Sequence, residues 1–268
     1  MNMRKVMFQC VAVLLASRWM VQAAETVLSF AGTSSYVDLA MPDVLQRPSN
    51  SPMTVEGWMY LRAVDTRDML YSKNNVRSSN GYTHMFGFYE NGRIAAFTGS
   101  AWREPSPAVT AALGRWMHVA FSFDGTTLTY YLDGEPIGTS AFNYNNVEAN
   151  TVKLGGYISG TDIDGMKSEV RVWDHARSHA EIARDWRRRL VGHEPGLIGY
   201  WPLNEGEGMN VYDCTGNQST GTLVNAAWTQ ADDLDLSPFA LVNPATGSRR
   251  FTNTNVVDML DLMFPWGA

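Results

Sequence analysis

GRWMHVAFSFDGTTLTYYLDGEPIGTS, residues 114–140, reads as three strands joined by two tight turns. Asp124-Gly125 and Asp133-Gly134 are Asp-Gly pairs set between alternating apolar residues, the strongest short-range hairpin signal in a sequence. Trp116, His118, Ala120 and Ser122 alternate with Met117, Val119, Phe121 and Phe123, and Leu128, Tyr130 and Leu132 alternate with Thr127, Thr129 and Tyr131. Each strand has one face suited to burial and one suited to water, which is the antiparallel habit.

The same grammar extends outward. Residues 26–39 read as strand, turn and strand, and residues 69–73, 152–156, 169–173 and 197–203 as further strands. In MTVEGWMYL, residues 53–61, Val55, Gly57 and Met59 face one way and Thr54, Glu56, Trp58 and Tyr60 the other. Residues 84–89 and 93–98 form a hairpin around Glu90-Asn91-Gly92, and residues 221–224 and 226–228 are the last strands. Residues 41–52 and 99–107 read as loops. One helix is expected over residues 178–189. Ser178 and Glu181 have capping-box spacing, and Ile182, Trp186 and Leu190 recur on one face. It is expected to pack across the end of the sandwich and shield a sheet edge. Trp58, Trp116, Trp173 and Trp201 fall inside strand patterns and are assigned to the core.

The 268 residues suffice for one large β-sandwich or for two small domains. Residues 1–23 are read as a secretory signal peptide: Arg4 and Lys5 precede an apolar run, and Val21-Gln22-Ala23 supplies the small residues before a cut after Ala23 or Ala24. Losing the three positive charges of Arg4, Lys5 and Arg18 takes the net charge from −6 to −9. An acidic surface argues against nucleic acid and against an anionic membrane surface as partners, and no membrane insertion is expected after signal cleavage. Arg187-Arg188-Arg189, the one basic cluster, is read as a helix C-terminus, where cations suit the dipole. Cys10 leaves with the signal, so Cys214 is alone and is expected to be a small buried apolar side chain. Residues 24–236 are expected to form the sandwich, and residues 237–268 read as a linker followed by the start of a further module, a docking segment or a frayed terminus.

Several motifs carry a family resemblance: Leu28-Ser-Phe-Ala-Gly with Tyr36-Val-Asp-Leu39, residues 53–59, residues 114–120, the two Asp-Gly hairpins, and Ser168-Glu-Val-Arg-Val-Trp173. With them the chain resembles the laminin-G-like jelly roll of the concanavalin-A-like lectin and glucanase superfamily. Residues 196–206 and Asp213-Cys-Thr-Gly216 resemble a segment found beside such domains in bacterial secreted proteins. The resemblance implies an all-β fold, a two-sheet antiparallel jelly-roll sandwich with one short helix. Relatives often carry aspartates where this chain has Ala31 and Ser168, and those acids help hold calcium. Asp162 and Asp164 remain as the two carboxylates that could share a calcium ion, so folding is expected without an obligatory one.

Catalysis finds no support in motifs. Glycoside hydrolysis needs paired carboxylates flanking the bond, and no Glu-x-Asp-x-Glu string is present. Glu205 and Glu207 flank a turn glycine, Glu56 and His118 suit structural roles, and His175, His179 and His193 lack zinc spacing. Tyr82, Trp102, Tyr144 and Tyr157 sit in or beside polar loops, where aromatic rings stack on sugar faces, and are the candidate ligand-binding residues. The expected function is secreted, non-catalytic recognition of a glycan or a cell-surface protein. Its rivals are a glycan-active enzyme whose acids meet only in the fold and a structural spacer of a larger surface protein.

Overall fold

A computed structural model of the chain describes residues 24–32, 34–64, 67–74, 82–90, 92–144, 151–156, 164–236, 240–243 and 247–250. Strands follow in the order β1 (Glu25–Ala31), β2 (Tyr36–Asp38), β3 (Met53–Leu61), β4 (Arg67–Asn74), β5 (Tyr82–Tyr89), β6 (Arg93–Phe97), β7 (Trp102–Arg103), β8 (Trp116–Phe123), β9 (Thr127–Leu132) and β10 (Glu135–Ala141). After these come β11 (Thr151–Gly155), β12 (Asp164–Trp173), helix α1 (His179–Asp185), β13 (Leu197–Trp201), β14 (Asn210–Val211), β15 (Gly221–Val224) and β16 (Ala226–Ala231). A hairpin of β17 (Ala240–Asn243) and β18 (Gly247–Arg250) lies within the segment read as a linker.

Two eight-stranded antiparallel sheets result. The first runs β10-β9-β8-β3-β12-β1-β16, with β13 also on β12, and the second β14-β15-β2-β11-β4-β5-β6-β7. Both Asp-Gly hairpins form as read, joining β8 to β9 and β9 to β10. Residues 26–39 do give two strands, but they enter different sheets, so the turn between them is a crossover and not a hairpin. Strand β12 serves two neighbours on one edge: Asp164 to Lys167 pair with β1, and Val170 to Trp173 with β13. The switch is made at a bulge where Glu169 takes a left-handed φ of 56°.

Between the sheets lies the main core, built from the apolar set of each strand. Met53, Val55, Met59 and Leu61 of β3 and Met117, Val119, Phe121 and Phe123 of β8 meet Leu70, Phe86 and Phe88 of β4 and β5. Burying each such side chain contributes about 1.5–3 kcal/mol. Trp201 is in this core, while Trp58, Trp116 and Trp173 are buried on the opposite face of the first sheet.

The polar faces of β3 and β8 are not wetted, contrary to the alternation; all eight residues of β8 are buried. Helix α1 and the chain that follows it lie over that face. The helix starts in a capping box: Ser178 Oγ accepts from the Glu181 N–H, and Glu181 Oε2 accepts from the Ser178 N–H at 2.8 Å. It ends at Asp185, earlier than residue 189, with Trp186 as its C-cap. Ile182 packs on Ala120 and Tyr131. Trp186 stacks on Trp58 at 5.4 Å and its carbonyl accepts the Trp58 indole N–H at 3.0 Å. Leu190 lies past the helix and packs with Trp173, Leu197 and Tyr200. The helix lies over the β8–β9–β10 end of the sheet and reaches its edge strand, where His179 Nε2 stands 3.4 Å from Glu135 Oε2.

The reason is charge. Glu56, His118 and Arg171 project from the outer face of the first sheet and are fully buried. Glu56 Oε1 accepts from Trp173 Nε1 and from Arg177 Nη1, each at 2.9 Å, with Arg171 Nη1 at 3.6 Å. Arg171 also donates to Glu169 Oε2 at 3.0 Å, and Arg177 to Asp185. Such charges are tolerable only when paired and hydrogen-bonded, and Arg177 and Asp185 arrive with the helix segment. Burial raises the Glu56 pKa, but Arg177 and Arg171 outweigh it and hold the carboxyl below its ordinary value. Burial pushes His118 down to about 4. Arg187, Arg188 and Arg189 lie beyond the helix and do not form a basic patch: they pair with Asp235, Asp185 and Glu25 respectively.

Cys214 is exposed, not buried. Its position follows from the turn it occupies. Asp213 Oδ1 accepts from the N–H groups of Tyr200 and Thr215, and the Cys214 N–H donates to the Tyr200 carbonyl at 2.8 Å. No helix among the described residues is long and apolar enough to cross a membrane.

Candidate functional site

The outer face of the second sheet carries the candidate site. Inward residues of β5 and β6 such as Phe86, Phe88 and Ile94 join the core, so Met85 and Phe97 point away from it. The register aligns a row across six strands: Asp38, Lys153, Ser72, Met85, Phe97 and Trp102.

One end of the row is aromatic. The half-exposed Trp102 ring stacks on Tyr89 with centroids 4.0 Å apart and planes 15° apart, and meets Phe97 at 5.0 Å. Met69 and Met85 are buried against this group. Behind it, Arg93 holds Glu104 at 3.3 Å, and Tyr89 Oη donates to Glu90 Oε1 at 2.5 Å. That hydrogen bond is the first cause of a raised Tyr89 pKa. The other end is polar. Lys153 Nζ lies 3.7 Å from the centre of the Tyr36 ring, and Asp38 Oδ1 accepts from the Ala40 N–H and Thr151 Oγ1. In the middle, the chain folds back: Gly156 has a φ of 55° and its carbonyl accepts from Ser72 Oγ at 3.1 Å. Chemically, the face offers a flat apolar shelf beside charged and hydroxyl groups. That combination suits the amphipathic face of a sugar ring.

Of the residues singled out in the sequence, Trp102 stands on the shelf. Tyr82 begins β5, paired with Asn74. Tyr144 is a correction: it is 3% exposed and its ring packs 4.4 Å from His84. It can be buried because its N–H finds Asn50 Oδ1 and its hydroxyl the Ser51 carbonyl. Tyr157 and Asp162 lie outside the described residues. Asp164 begins β12, pairs with Ala31 and binds Arg62 at 3.0 Å. Arg62 in turn reaches Ser29 Oγ at 2.8 Å, so the carboxylate serves the strand junction. Among the described residues, no three His, Cys, Asp or Glu side chains gather as metal ligands. Tyr36, Tyr89, Phe97 and Lys153 were not singled out. Period-two alternation marks Phe97 as facing away from Ile94, but the row across six strands depends on a register that no single strand displays.

Glu56 of the first sheet and Asp185 of α1 are unsuited to act as general acids. A general acid needs a raised pKa. Burial acts upward on both Glu56 and Asp185, yet arginines hold each low.

Comparison with known proteins follows the same lines. The Laminin_G_3 family model, described as concanavalin A-like lectin/glucanases superfamily, matches residues 31–183. Pappalysin-1 from Mus musculus is 27% identical over 88 residues, 31% of this chain and 5% of that protein. The chain therefore spans a small part of that curated relative. A candidate carbohydrate-binding protein from Bacteroides ovatus is similar with a TM-score of 0.61 and 18% identity, over 78% of this chain and 60% of that one. A heptameric SAP-like pentraxin from Limulus polyphemus is similar with a TM-score of 0.51 and 16% identity, over 79% of this chain and 98% of the other. At these identities the likeness is one of fold.

Proposed function

Since the chain belongs to the concanavalin A-like lectin/glucanases superfamily, we propose that it is an exported, non-catalytic recognition module that binds carbohydrate on the outer face of its second sheet. The observation that carries this reading is the Trp102–Tyr89 stack, a half-exposed aromatic shelf on the sheet face that α1 leaves open. The description of the Bacteroides ovatus protein as a candidate carbohydrate-binding protein supports the ligand class. Absence of catalysis is supported by the carboxylates: Glu56 and Asp185 are held by buried arginines, and Glu104 by Arg93. Export rests on the leader-like residues 1–23.

A glycan array run beside a polysaccharide hydrolysis screen tests the reading. Saturable binding without turnover is expected, and Trp102→Ala weakens it at least tenfold, about 1.4 kcal/mol. Turnover without saturable binding, or undiminished binding by Trp102→Ala, overturns it.

A further inference from the structure

A second concavity lies away from the aromatic shelf, where the chain leaves β2 and enters β15. It is a cleft of about 370 Å³ lined by residues 39–44 on one side and 217–220 on the other. Its size falls in the range of small-molecule sites. We infer that this cleft is a binding site for a neutral, hydroxyl-rich ring of monosaccharide size.

Both walls are fixed before any ligand arrives. On the first, the Val152 N–H donates to the Ala40 carbonyl at 2.6 Å, and the Ala40 N–H to Asp38 Oδ1 at 2.8 Å. On the second, Trp201 Nε1 donates to the Ser219 carbonyl at 2.8 Å and the Ser219 N–H to Asp213 Oδ2 at 3.1 Å. A preformed cleft loses little freedom on binding. The loops are held by the core and the Asp213 turn.

The lining chemistry selects the ligand. Met41, Pro42 and Val44 supply apolar surface for the C–H face of a ring, and Asp43, Asn217, Gln218 and Thr220 supply polar atoms. Asn217 spends its NH₂ on the Ile198 carbonyl and Thr215 Oγ1, which leaves its Oδ1 to accept. Together with the Asp43 carboxylate this makes an acceptor-rich wall, matched to hydroxyl donors. The Ser219 side chain is 4% exposed and its Oγ has no hydrogen-bond partner in the protein. A buried hydroxyl left unpaired is costly. Asp43 brings a negative charge and no Lys or Arg lines the cleft, so sugars bearing a carboxylate or sulfate are disfavoured.

The ligand class rests on the carbohydrate reading above, while the location does not. The test is titration calorimetry on the full chain with glucose, galactose, mannose and arabinose, and with glucuronate as the anionic counterpart. Wild type is compared with Asp43→Ala, Thr220→Trp and Trp102→Ala. Asp43 and Thr220 are exposed, and circular dichroism of each variant checks the fold. At least one neutral sugar is expected to saturate the site, with glucuronate at least tenfold weaker. Thr220→Trp fills the cleft and abolishes binding, and Asp43→Ala weakens it at least fivefold. Binding that survives both cleft variants, or that only Trp102→Ala removes, overturns the cleft assignment and leaves the carbohydrate reading standing. If neither monosaccharides nor arrayed glycans bind, both readings fall.

Discussion

The outer faces of the two sheets are made from the same alternating strands and end in opposite states. On the first sheet, Glu56, His118 and Arg171 stand where water was expected, and a helix segment brings Arg177 and Asp185 to seal them in. On the second, Ser72 and Met85 are buried in the middle of the face, and the end beyond them, Phe97 and Trp102 with Tyr89 stacked beside them, stays half exposed. The difference teaches that alternation assigns polarity to a face and leaves its fate to what the rest of the chain can pair with it. Charges that find partners are buried and stabilise; rings that find only one another remain available to a ligand.

The sharpest break between the faces comes from removing a charge under the helix. Glu56→Gln strips the carboxylate from Arg177 and Arg171, and losing one partner of a buried pair costs about 3–5 kcal/mol. Urea unfolding is expected to show that drop, with glycan binding by the folded fraction retained. Trp102→Ala gives the converse, a large loss in binding and a smaller loss in stability. A Glu56→Gln protein as stable as wild type would show that the buried network contributes nothing to holding the helix on the sheet.

Titration separates the faces less strongly. Burial lowers the His118 pKa to about 4 in the folded state against an ordinary 6.5. Between those values the unfolded chain binds the proton that the folded chain refuses, so stability falls as pH drops from 6.5 towards 4. Burial also lowers His84, between the sheets, so it acts in the same direction. Unfolding free energies from urea titrations at pH 7 and pH 5 should differ by about 2 kcal/mol from His118 alone, and His118→Gln should remove that part of the slope. A slope unchanged in His118→Gln would mean the helix-covered face does not titrate.

The smallest expected effect concerns calcium. With Asp164 committed to Arg62, and Ala31 and Ser168 where relatives often carry acids, melting should shift little between excess chelator and millimolar calcium. A large rise with calcium, abolished by Asp162→Ala or Asp164→Ala, would restore a calcium-dependent reading.

Much of the fold was legible because its signals are local. Strand β3 has the bounds that its alternation gave, the Asp-Gly turns form both hairpins, and the Ser178–Glu181 capping box is in place. What escaped depends on partners distant in sequence. The polar set of β8 looked wet because the groups that bury it, such as Arg177, whose carbonyl accepts the Ser122 hydroxyl, come more than fifty residues later. Tyr144 looked like a rim ring because the Asn50 and Ser51 groups that satisfy its polar atoms sit in another loop. Trp102 was legible as a loop aromatic, while Tyr89, its stacking partner, was hidden in a strand whose facing is set by register.

The central claim is that ligand contacts fall on the open face and spare the covered one. Hydrogen exchange of the full chain, measured with and without a saturating glycan from the array, compares the two directly. Added protection is expected in residues 82–103 and 151–156, with residues 174–190 and β8 unchanged. Protection confined to the helix-covered face, or none on β5 to β7, would contradict it.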